Sequence, residues 1–153
     1  MRRKDREKDR AFALAVVDSC PYGLLSMTLP EGRPYAVPLS IVREGDFIYF
    51  HSALEGLKNE TLLKNPQVCL TCVDKVRPVE AEFTTEYASA ILFGEIALVE
   101  DQAERFHALR LLCRRYAPGN PENVEAAIQR SQAVTAIWRI RIQSITGKGK
   151  SCT

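Results

Sequence analysis

Three apolar, β-type runs at 24–29, 35–42 and 47–50 are separated only by Pro30-Glu31-Gly32-Arg33 and Arg43-Glu44-Gly45-Asp46. Links this short and this rich in turn residues are of hairpin length, so the spacing predicts neighbouring antiparallel strands. A fourth run, 68–73, extends the expected meander. Between the third and fourth runs, residues 51–66 keep Leu54, Leu57, Leu62 and Leu63 at helical spacing until Asn65-Pro66 stops them, which predicts one short crossing helix.

The flanks add helices and longer strands. Residues 2–10 alternate basic and acidic groups and lead into the apolar Ala11 to Val17, an N-terminal helix that Cys20-Pro21-Tyr22-Gly23 ends. Residues 84–99 read as one long strand, with Gly94 inside it marking a bulge or bend at a barrel corner. Residues 100–116 and 121–130 read as helices. In the last strand Val134, Ala136, Trp138, Ile140 and Ile142 alternate with Thr135, Ile137, Arg139 and Arg141, and Trp138 is expected in the core. The tail Gly147-Lys148-Gly149-Lys150 is expected to be mobile or docked by charge. A chain of 153 residues with no repeat or low-complexity linker fits a single domain, 1–153. The fold class expected is mainly β with flanking helices, a small barrel of about six strands.

Composition narrows the function. Twenty-one Lys and Arg against nineteen Asp and Glu leave +2, and Asp5, Glu7 and Asp9 interrupt the basic start, so no phosphate-tracking stripe for nucleic acid is expected. The apolar stretch from Ala11 to Val17 is too short to span a bilayer and lacks a secretory cleavage site, so no membrane and a cytoplasmic location are expected. Cys20, Cys69, Cys72, Cys113 and Cys152 form no disulfide framework and read as reduced thiols. Cys69 and Cys72, three apart on a strand, point to opposite faces, and with only His51 and His107 available no metal site is expected. No nucleophile elbow, Walker loop, zincin or dinucleotide fingerprint is present.

Three segments could carry chemistry. In Val37-Pro38-Leu39-Ser40 a proline removes one ladder donor, which suits an edge strand or a rim of free backbone groups beside a flat heterocycle. His51 opens a segment whose Gly56, Lys58 and Asn59 could hold a phosphate at a helix start, although His51 capping the helix beside a solvated Lys58 is an equal reading. Tyr87 and Ser89 could bond a polar ligand or line an exposed sheet face. His107 reads as a surface or interface side chain.

Tyr22-Gly23-Leu24-Leu25, the stretch from Arg33 to Ser40, Ile48 to Ala53 with Gly56-Leu57-Lys58, Asn65 to Cys69, Tyr87 to Gly94 and Ile145-Thr146-Gly147-Lys148 occur in the order of one known family. In this order the chain resembles the flavin-binding split barrels related to pyridoxamine 5'-phosphate oxidase, and within them the nitroimidazole-resistance (Nim-type) group. The resemblance implies a six-stranded split barrel, a homodimer with FMN at the subunit interface, and reduction of a small aromatic or nitro compound. It places Val37, Pro38, Leu39 and Ser40 beside the flavin ring, Lys58 and Asn59 at its phosphate, Tyr87 and Ser89 on the long strand nearest it, and His51 near the flavin; because imidazole titrates near neutral pH, His51 is the expected catalytic residue that orients the ligand or relays a proton. The oxidase's C-terminal basic and aromatic substrate pattern is missing, so pyridoxamine phosphate is not the expected substrate. A non-catalytic flavin or haem carrier or sensor on the same barrel is the alternative.

Overall fold

A computed structural model describes residues 2–151. Eight strands form one antiparallel sheet: β1 (Glu7–Lys8), β2 (Gly23–Thr28), β3 (Pro34–Leu39), β4 (Ile41–Glu44), β5 (Phe47–Ala53), β6 (Gln67–Val79), β7 (Thr84–Leu98) and β8 (Thr135–Lys150). The helices are α1 (Arg10–Ser19), α2 (Leu57–Lys64), α3 (Gln102–Tyr116) and α4 (Val124–Ser131). The strand path runs β3-β2-β6-β7-β8-β5-β4, with β1 added to β8. Both expected hairpins form, β2–β3 and β4–β5.

The run at 35–42 is two strands rather than one. β3 and β4 are separated by Ser40 alone, yet they occupy opposite ends of the strand path. One residue therefore brings the two ends of the sheet together and curls it into a barrel with an unladdered seam. This also replaces the simple meander: β6 pairs with β2 and β7, not with β5. The strand count rises from six to eight through this split and through the two-residue β1.

Alternation explains the interior. Leu25, Leu70, Leu92, Ile140 and Trp138 point inward with Phe50, and α1 closes the interior with Ala13, Val16 and Val17. A second cluster lies outside the wall, where Tyr49 and Ile137 from the opposite faces of β5 and β8 pack under Ala108, Leu109 and Leu112 of α3 and Ile128 of α4. At Gly94 the β7–β8 register shifts, giving the bulge expected there. Pro121 starts a 3-10 turn before α4, so the fourth helix begins later than its sequence suggests.

The tail is neither mobile nor merely charge-docked. It forms the end of β8, paired with β7 and β1. Its Gly-Lys alternation turns Gly147 and Gly149 toward α1; a Cβ on Gly147 would sit 3.1 Å from Ala13 Cβ and 3.1 Å from Phe12 Cδ1. Glycine at these positions lets helix and strand approach, while the lysines between them face outward.

Candidate functional site

β5 runs three residues beyond its expected end, so His51 stands on a strand, one residue from the core Phe50. It does not cap α2. That role falls to Gly56, at φ +123, and the helix start carries no side-chain cap. Lys58, in the first turn of α2, lies half-buried with its ammonium 5.7 Å from the centre of the Phe50 ring. Burial pushes the Lys58 ammonium below its usual range. Burial first, and then the charge of Lys58, pushes the His51 imidazole down as well, so His51 is neutral near pH 7. Among the described residues Lys58 has no carboxylate within ion-pair distance. A partly desolvated cation, a neutral imidazole and an uncapped helix start together form a corner in which, although Glu60 shares the first turn of α2, Lys58 has no anionic partner, and this suits an anion such as a phosphate.

Asn59 faces the other way. It is buried, and its Nδ2 donates to the Ala53 carbonyl at 2.6 Å. Trp138 Nε1 donates to Ser52 Oγ at 3.1 Å, and Ser52 Oγ donates toward Asn59 Oδ1 at 3.0 Å. This chain of bonds ties β8, β5 and α2 together and fixes the backbone between His51 and Lys58.

The seam supplies a second wall. A cavity of about 300 Å³ is lined by His51 and Ser40 together with Leu109, Leu112, Cys113 and Tyr116 of α3. The Tyr116 hydroxyl accepts from the Ile41 N–H at 2.9 Å and donates to the Ile41 carbonyl at 2.9 Å, occupying the backbone groups that another strand would use. Sequence pattern marks Tyr116 only as the end of a helix, because its partner is 75 residues away. β3 is an edge strand, as its proline suggested: Val37 and Leu39 lean on the core, while Pro38 and Ser40 are exposed.

Tyr87 and Ser89 do not join this corner. On β8, His51 pairs with Ile137, whereas Ser89 pairs with Lys148 and Tyr87 with Lys150. From Ile137 to Lys148 is up to about 36 Å of strand at about 3.3 Å per residue. Ser89 Oγ instead donates to the Lys148 carbonyl at 3.3 Å, and the Lys148 ammonium lies 5.8 Å from the Tyr87 ring centre. Between the two places two rows of the outer sheet face are uncharged, before Glu95 and Arg141 form an exposed ion pair nearer His51. One row crosses it as Pro38, Leu24, Thr71, Ile91 and Thr146, the next as Ala36, Ser26, Cys69, Phe93 and Ser144. His107 is exposed and bonds Glu44 at 2.7 Å, away from the corner.

Residues 9–149 match the pyridoxamine 5'-phosphate oxidase family. No curated protein matches the chain. Among solved structures, a candidate 5-nitroimidazole antibiotic resistance protein from Bacteroides thetaiotaomicron is 26% identical, with a TM-score of 0.76 over 93% of this chain and 84% of that one. The flavocytochrome Anf3 of Azotobacter vinelandii superposes at a TM-score of 0.83 with 22% identity, over 99% of this chain and 72% of its own. A FAD- and haem-binding protein of Mycobacterium smegmatis gives 0.80 at 21% identity, over 96% and 74%.

Proposed function

The chain belongs to the pyridoxamine 5'-phosphate oxidase family, and from that premise we propose that it is a flavoprotein that binds FMN between two copies of itself and reduces a small aromatic or nitro compound. The observation that carries this reading is the corner of His51, Lys58 and the uncapped start of α2, cationic and without a carboxylate partner. Lys58 and the first N–H groups of α2 hold the flavin phosphate. Val37, Pro38, Leu39 and Ser40 border the ring along the open edge of β3, and the uncharged outer rows supply the surface on which two copies meet. Tyr87 and Ser89, on β7 opposite the far end of β8 and too distant to reach His51 within one chain, meet the flavin of the second copy. Asn59 acts from behind, keeping the loop in place.

When bound, the isoalloxazine accepts and releases electrons in ones or twos. His51 lies at the seam cavity beside Ser40, where it orients the acceptor molecule; its lowered pKa makes the imidazolium, when it forms, the stronger acid for handing that molecule a proton. The resemblance to the Bacteroides thetaiotaomicron protein supports a nitro group as the acceptor.

A visible spectrum of the purified protein, before and after FMN and then NADH or NADPH, tests this directly: flavin bands that bleach on reduction are expected, and protein that stays colourless with FMN overturns the reading. Lys58→Ala is expected to weaken FMN binding by about 10- to 150-fold, the equivalent of roughly 1.5 to 3 kcal/mol for one charge-assisted phosphate bond. The neutral imidazole of His51 also favours a second reading, a haem or flavin carrier, because a neutral ring can ligate iron. A Soret band after haem addition, with no turnover on nitroaromatic acceptors, selects it.

A further inference from the structure

Cys20 and Cys72 are far apart in sequence and adjacent in the fold. Cys20 ends α1, its N–H bonded to the Val16 carbonyl at 2.9 Å. Three residues later Gly23 pairs with Cys72 on β6, and both thiols lie buried in the barrel core, where each shifts the ionisation of the other; Cys20 Sγ also donates to the Val17 carbonyl at 3.4 Å. The Arg115 guanidinium, half-buried on α3, reaches across the same place. Its Nη2 donates to the Cys20 carbonyl at 2.6 Å and the Val17 carbonyl at 3.1 Å, and lies 3.9 Å from Cys20 Sγ. No carboxylate among the described residues pairs with Arg115, so its charge is directed at the end of α1 and at this sulfur. Cys20 is followed by Pro21 and Tyr22, which line an open groove of about 590 Å³ with Thr71, Val73 and Asp74.

We propose that Cys20 and Cys72 form a hydroperoxide-reactive dithiol, in which Cys20 attacks as the thiolate beside Arg115 and Cys72 resolves the product into a disulfide. In the first step Cys20 sulfur bonds to the terminal peroxide oxygen as the O–O bond breaks, giving the sulfenic acid and hydroxide. In the second, Cys72 sulfur displaces the sulfenic oxygen. Together two thiols and one hydrogen peroxide become one disulfide and two waters. The position of Arg115, with Nη2 3.9 Å from Cys20 Sγ, assigns the roles. The neighbouring Cys72 thiol lowers the Cys20 thiol despite burial, with help from Arg115 and against the nearby carboxylate of Asp74. Cys72 moves the opposite way, raised by the neighbouring Cys20 thiol and by burial, and so remains the proton-bearing partner.

The site is independent of the flavin reading, and its test needs no flavin. Purified protein is treated with equimolar hydrogen peroxide and mapped by mass spectrometry. Loss of two hydrogens, a linked peptide pair carrying Cys20 and Cys72, and reversal by dithiothreitol are expected. Cys72→Ala should stop at a dimedone-trappable sulfenic acid on Cys20, while Cys20→Ala should leave Cys72 unreactive. Arg115→Gln should slow oxidation about tenfold, the thiolate lost to one pKa unit, and Arg115→Lys should restore part of the rate. Oxidation of Cys69 or Cys113 while Cys20 and Cys72 stay reduced would overturn the proposal. So would a Cys20 oxidation rate equal to the global unfolding rate measured in denaturant, because the thiols would then react only in the unfolded chain.

Discussion

The two ends of β8 differ in how they meet water. At Trp138 the strand is sealed: the indole is buried, its N–H is bonded to Ser52, and Asn59 completes the chain of bonds into the α2 loop. At Lys148 and Lys150 the strand is open, its lysines half-exposed beside Tyr87 while its glycines alone pack inward. Burial alone would raise the Tyr87 phenol, but hydrogen bonds from Arg6 and Lys148 bring it below its usual range. The sealed end can hold a polar group at a fixed position with perturbed protonation; the open end offers a surface. One strand thus builds a rigid corner and a contact face from the same alternation.

Truncating the sealed end should cost most. Trp138→Ala is expected to lose about 3 to 5 kcal/mol in chemical denaturation, removing a core ring and the donor that anchors Ser52. At the open end the inward side should still be intolerant: Gly147→Val would push a side chain into Ala13 and Phe12, for about 2 to 3 kcal/mol of destabilisation by the same assay. Its outward neighbour should scarcely matter, and Lys148→Ala is expected within about 0.5 kcal/mol of wild type. A loss at Lys148 as large as that at Gly147 would erase the contrast between the two faces.

The contrast should also appear in pH. Because the folded His51 pKa lies below the ordinary 6.5, the unfolded chain binds that proton more readily than the folded one. The stability contribution is therefore intact above pH 6.5 and falls as the pH drops through that value toward the folded pKa. Urea midpoints taken across this window should decline more steeply for wild type than for His51→Gln. Equal slopes would mean that the corner does not perturb its imidazole.

The parts of the molecule legible in sequence are those decided by near neighbours. The turns at 30–33 and 43–46, the glycine bulge at Gly94 and the inward Trp138 follow from turn chemistry and period-2 alternation. The break at Ser40 does not, since nothing local to Leu39-Ser40-Ile41 tells a chain to leave one end of a sheet and begin at the other. The tail misleads for a different reason: Gly-Lys repeats have the composition of a solvated segment, and only α1, more than a hundred residues earlier, shows why the glycines are there. In the corner, His51 and Lys58 stand out because they are near in sequence, whereas the inward turn of Asn59 depends on Ser52 and the distant Trp138. Pairings such as Tyr116 with Ile41, or Cys20 with Cys72, cross the chain and leave no spacing to read.

The pairing of β1 with the end of β8, Glu7 opposite Lys148 and Lys8 opposite Gly147, sets the first and last strands side by side. Ser40, meanwhile, belongs to no ladder. A circular permutant that runs from β8 into β1 through a short linker and begins at Ser40 would keep every strand partner. It would turn the continuous ring of chain into an open ribbon held shut only by side chains such as Tyr116.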